Sequence, residues 1–88
     1  MALRFVGIDP NTQGNGSPTV WVDDEKNELV IQGWKADDVT SAEISETEWV
    51  TVHATGIPEH ETVVRIPLRM VPILREACDV AERGAGIR

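Results

Sequence analysis

Along this chain the apolar positions change period across Pro67 and Pro72, from a strand-like run at Val64-Arg65-Ile66 to a helical stripe. From Met70 onward, Met70, Ile73, Leu74, Ala77, Cys78, Val80 and Ala81 recur at spacings of three and four, while Arg69, Arg75, Glu76, Asp79, Glu82 and Arg83 fill the other side. The spacing predicts a helix starting near Arg69. Pro72 then falls in the first turn, where its missing N–H costs nothing, and Gly84 is placed to end the helix as a left-handed residue.

Upstream the pattern is that of strands. Residues 3–8 form a short apolar strand candidate, followed by a loop over residues 9–18 that is opened by Asp9-Pro10 and closed by Ser17-Pro18. Residues 19–23 and 28–34 are β-rich runs flanking Asp24-Glu25-Lys26-Asn27, a hairpin with a four-residue loop. Residues 35–46 are polar, with room for one short helix capped by Asp38 or Ser41. In residues 48–54, Trp49, Thr51 and His53 alternate with Val50, Val52 and Ala54, predicting another strand. The chain turns at Gly56-Ile57-Pro58-Glu59, and residues 62–66 return as a second hairpin arm. The expected architecture is α+β: one domain over residues 1–88, with an antiparallel sheet of four to five strands and one C-terminal helix packed on a face. Ile73 and Leu74 are expected to meet the sheet.

Composition adds a charge asymmetry. Residues 1–63 carry three basic side chains against twelve acidic ones, and residues 64–88 carry five arginines against three acids, within a net charge of −7. An acidic surface of this size repels phosphate backbones, arguing against direct nucleic-acid binding and suiting a basic protein partner. The single cysteine, Cys78, forms no internal disulfide and sits on the expected buried stripe, consistent with a reducing, cytoplasmic compartment. No apolar run approaches a membrane span, and the first eight residues do not make a secretory signal.

The candidate chemistry is sparse. Gly14-Asn15-Gly16 lacks the following helix and nearby Lys of a phosphate loop and reads as a mobile surface loop. His60 between Glu59 and Glu61, with His53 from the adjacent strand, falls short of three or four convergent ligands, so no metal or other cofactor is expected. Cys78 on a buried stripe would have a raised pKa and low reactivity. No acid pair, serine elbow or dinucleotide fingerprint is legible, so no catalytic residue is assigned.

Three tryptophans, with no tyrosine and one phenylalanine, form an unusual aromatic set. Trp21 alternates with Val20 and Val22. Trp49 alternates with Val50 and Val52 and shares a side with His53. If the valines face the helix, Trp21 and Trp49 lie on the opposite sheet face. They are there either a second small core under the loops or a site for self-pairing or a partner. Trp34, after Gly33, is expected as a lid on the core edge.

Val64-Arg65-Ile66-Pro67, Arg69-Met70-Val71-Pro72 and Arg75-Glu76-Ala77-Cys78, with Gly7-Ile8-Asp9-Pro10, Pro18-Thr19-Val20 and Gly33-Trp34, resemble a group of small acidic actinobacterial proteins encoded beside helix-turn-helix regulators of development or secondary metabolism. The resemblance spans residues 5–78 and implies a regulatory accessory role by association, with no catalytic residue to carry over. The expectation is a non-enzymatic module binding a protein, plausibly a basic transcriptional regulator, through Trp21, Trp49 and His53. The alternative is a small-ligand-binding or enzyme-like domain, with its site between the sheet and the loop from Asp9 to Pro18.

Overall fold

The computed structural model describes residues 2–11 and 16–85. The element order is β1 (Leu3–Ile8), β2 (Thr19–Asp23), β3 (Glu28–Gln32), β4 (Trp34–Lys35), α1 (Asp38–Glu46), β5 (Val64–Arg65), a 3₁₀ turn (Leu68–Met70) and α2 (Val71–Ala85). The chain divides into two compact units, Met1–Gly33 with Ile66–Arg88, and Trp34–Arg65. No helix among the described residues is long and apolar enough to cross a membrane.

The first unit is a three-stranded antiparallel sheet, ordered β1-β2-β3, with α2 across one face. Val20 and Val22 of the central strand β2 point at the helix and form the buried core with Met70 and Ala77. Val6, Ile66, Ile73, Leu74, Val80 and Ala81 pack around them. The hairpin forms as its sequence requires: Asp23 pairs with Glu28, and the Asp23 carboxylate accepts the N–H groups of Glu25 and Lys26, each at 3.0 Å. Asn27 closes the loop at φ 56°, a left-handed conformation that asparagine tolerates.

A β-bulge falls between Phe5 and Gly7 in the β1–β2 register. The bulge turns Val6 toward the core while Phe5 stays outside.

The α+β class and the C-terminal helix hold, and five strands form, but in two sheets. β4 and β5 make a separate antiparallel ribbon in the second unit, pairing Trp34 with Arg65 and Lys35 with Val64. The strand expected over residues 28–34 breaks at Gly33. Residues 48–54 do not form the expected strand, and the arm over residues 62–66 shrinks to two residues paired with β4. The reason is local. Val52 takes φ 62°, the His53 N–H donates to the Val50 carbonyl at 3.1 Å, and the Val52 N–H donates to the Glu48 carboxylate at 3.3 Å. The backbone is thereby satisfied as a turn, and β-rich composition without a pairing partner does not outweigh it.

Three smaller expectations also change. α1 is capped by Asp37, whose carboxylate accepts the Thr40 N–H at 2.7 Å, not by Asp38 or Ser41. Gly84 lies inside the last turn of α2 and is not its left-handed terminator. Cys78 is exposed. With about 100° per residue, the buried stripe centred on Ala77 reaches about 60° to either side, and Cys78 lies about 100° away.

Candidate interaction surface

The site residues expected from the sequence fall in different units. Trp21 sits on β2 in the first unit. Trp49 and His53 lie in the turn over residues 49–53 of the second unit, and no strand carries them. The alternation of Trp49 with Val50 and Val52 therefore says nothing about a sheet face, while that of Trp21 with Val20 and Val22 is realised. Trp34 is half exposed on β4.

On the first unit, the sheet face away from α2 carries a cross-strand row. Phe5 pairs with Trp21, and Trp21 pairs with Val30. Phe5 is 60% exposed, and Leu3 and Ile8 flank it, also exposed. Trp21 is half-buried between its neighbours.

The second unit presents its apolar side chains on the turn itself. Trp49 is 62%, Val50 60% and Val52 93% exposed. The Trp49 indole N–H donates to the Ile44 carbonyl at 3.1 Å. This satisfies one of the last carbonyls of α1, which the helix leaves without an internal donor, and it pins the ring by its polar edge. Trp49, Val50 and His53 line a hollow of about 230 Å³ against Ile44 and Thr47. The His53 ring nitrogen Nδ1 lies 3.0 Å from the Ala54 carbonyl. The structure thus brings Trp49 and His53 together beside one small apolar recess.

Val52 is the strained point. A β-turn with a positive φ at its second central residue calls for Gly or Asn, and a β-branched side chain there costs about 1–3 kcal/mol. Opposite this, α1 is tied to the ribbon at its other end. The Arg65 guanidinium donates to the Thr40 hydroxyl at 2.8 Å. Hydrogen bonds from the Thr40 side chain and backbone hold the Asp37 carboxyl below the usual carboxylate range, and the Arg65 charge adds to them.

A second polar feature escaped the sequence. Asp9 is buried, its side chain 3% exposed, and the Arg69 guanidinium clamps it with Nε to Oδ1 at 2.6 Å and Nη2 to Oδ2 at 2.8 Å. The Asn11 N–H also donates to Oδ1 at 3.0 Å, and the Asp9 N–H donates to the Pro18 carbonyl at 2.9 Å, closing the neck of the loop. The Arg69 hydrogen bonds, then that of Asn11, hold the Asp9 carboxyl below the usual range, and Asp9 raises Arg69 in return. Both carboxylate oxygens are occupied, so the pair is a clamp and not a poised acid or base. Asp9-Pro10 reads as a turn and Arg69 as a solvated helix residue; sixty positions apart, they carry no local signal of pairing. Gly14 and Asn15 of the glycine motif lie outside the described residues, and Gly16 takes φ 73° in open space.

His60 lies 3.7 Å from Glu61 with both side chains well exposed. No group of three or more metal-ligating side chains is found among the described residues. No family model, curated protein or solved structure matches the chain.

Proposed function

We propose that this protein is a non-enzymatic interaction module whose contact with a basic protein partner centres on Trp49, Val50, Val52 and His53. The observation that carries the reading is Val52, held at φ 62° and 93% exposed beside an exposed tryptophan. A fold that keeps a strained β-branched residue and two further large apolar side chains in solvent gives up stability for presentation. An aromatic ring pinned by its polar edge is a suitable anchor, because it loses little side-chain freedom on binding.

Charge supports the choice of partner. The unit Trp34–Arg65 carries seven acidic side chains against Lys35 and Arg65. Such a rim favours arginine and lysine around an apolar centre and disfavours a second copy of this acidic chain or a nucleic acid. The row of Phe5, Trp21 and Val30 offers a second contact on the sheet. The resemblance to acidic proteins encoded beside helix-turn-helix regulators makes such a regulator the partner of choice, and the lone exposed Cys78 suits the cytoplasm.

The test is co-purification from native cells with tagged wild type, Trp49→Ala and Val52→Gly. A basic protein recovered with wild type and depleted with both variants supports the reading. Equal recovery with all three removes the turn from the interface.

A further inference from the structure

On the sheet face away from α2, the register sets out three rows. The central row is Phe5, Trp21 and Val30. Toward the hairpin lie Leu3, Asp23 and Glu28, and toward the opposite end lie Ile8, Thr19 and Gln32. Leu3, Phe5 and Ile8 stand exposed, so the β1 side of this face is an apolar strip open to solvent. Most of its polar groups are satisfied at home. The Asp23 carboxylate accepts the Glu25 and Lys26 N–H groups, and the Thr19 hydroxyl donates to the Ser17 carbonyl at 2.8 Å. Gln32 donates one amide hydrogen to that same carbonyl at 2.9 Å and keeps its second. The Glu28 carboxylate has no hydrogen-bond or ion-pair partner among the described residues.

We infer that this face pairs with the same face of a second copy, about a twofold axis lying along the row of Phe5, Trp21 and Val30. The two sheets then stack with their strands antiparallel, and the end rows exchange. Leu3 comes over Ile8 of the second copy, Glu28 over its Gln32 and Asp23 over its Thr19. The surface is self-complementary under that one operation: apolar against apolar on the β1 side, carboxylate against an uncharged group on β2 and β3. Each Glu28 meets the amide hydrogen that Gln32 has to spare. A twofold axis along the strands would instead set Asp23 over Asp23 and Leu3 over Glu28, so repulsion and desolvation exclude it.

The acidic rim that disfavours a second copy at the turn belongs to the unit Trp34–Arg65. The first unit is near balance, with eight acidic side chains against six basic ones. A basic partner suits this face less well, because its central row is uncharged and its one free carboxylate sits at an edge. A face three strands wide and five residues long measures about 14 by 17 Å, well short of the about 800 Å² per partner of a stable complex. The pair is therefore a reversible one, dissociating in the micromolar to millimolar range.

Sedimentation equilibrium of the purified chain, taken to millimolar concentration, tests the pairing. Wild type is expected to dimerise reversibly, and Phe5→Glu to stay monomeric with a dispersed amide spectrum. Gln32→Glu sets two carboxylates over each other twice per dimer and should weaken it by about fivefold or more. Adding Glu28→Gln exchanges the two groups, keeps the net charge at −7 and should restore the wild-type affinity. The two positions lie about 13 Å apart along β3, beyond the screening length of about 8–10 Å, so the exchange acts between copies and not within one. The purified chain alone is measured, so the outcome is independent of any partner at the turn. A double exchange no better than Gln32→Glu alone would overturn the antiparallel stacking. A wild type that stays monomeric would overturn the pairing, and loss of a basic protein from Phe5→Glu in co-purification would then give the face to that protein.

Discussion

Gly7 lies directly under Ile73: a Cβ built on Gly7 would come within 2.9 Å of Ile73 Cγ2 and 3.2 Å of Cγ1. The bulge that brings Val6 into the core sets Gly7 opposite Val20, and α2 closes on the strand at that point. Gly7→Ala is therefore an overpacking change, expected to cost about 1–3 kcal/mol in urea denaturation. In an Ile73→Ala background, which removes the three nearest atoms, the same substitution should cost less. Equal costs in both backgrounds would show that the strand, not the side chain above it, excludes alanine.

The clamp between Asp9 and Arg69 predicts a pH dependence. Arg69 lowers the folded-state pKa of Asp9 below its ordinary value near 3.8. The clamp's stability is thus fully present above that value and is lost as pH falls through the lower, folded-state pKa. Thermal melts of wild type and Asp9→Asn should differ by a constant amount around neutrality, and the gap should narrow only below about pH 4. A gap that narrows between pH 5 and 7 would point to another group.

Periodicity reached β2, the hairpin and α2 because each has its own core-facing side: Val20 and Val22 at period two, and Met70, Ile73, Leu74 and Ala77 at the helical period. It failed where an element's fate depends on a partner elsewhere. Residues 48–54 alternate as a strand does, yet Glu48 and Val50 satisfy the backbone locally and the chain turns. Three-and-four spacing puts Cys78 on the buried stripe because it does not mark where a stripe ends. Of the candidate site, the exposed aromatic at Trp49 and its neighbour His53 were legible. The strain at Val52 and the clamp on Asp9 were not, since a positive φ and a contact across sixty positions leave no composition signal.

The helix phase gives a direct pair of outcomes. Met70 is fully buried, and Met70→Ala should cost about 2–5 kcal/mol. Cys78 is exposed, so Cys78→Ala should be nearly neutral, and the native thiol should react with a disulfide reagent without prior unfolding. A thiol that reacts only in denaturant would place Cys78 back on the buried stripe.

α1 depends on its cap. Asp37→Ala leaves the Thr40 N–H without its acceptor and takes away the carboxylate that the Thr40 hydroxyl and Arg65 reinforce. Hydrogen exchange should accelerate across Asp38–Glu46 and leave β1, β2 and α2 unchanged. Uniform acceleration through the chain would mean that the helix unfolds only with everything else.

The most direct test of the interaction reading is Val52→Gly, because strain and function pull it in opposite directions. Glycine adopts φ 62° without penalty, so the variant should be more stable by about 1 kcal/mol after the added backbone entropy is set against the relieved strain. It also removes the most exposed apolar side chain of the turn. Stability and partner recovery, measured on the same preparation, should therefore move apart: a higher denaturation midpoint with less of the basic partner retained. A variant that is more stable and retains its partner in full would contradict the claim that this turn is held strained for binding.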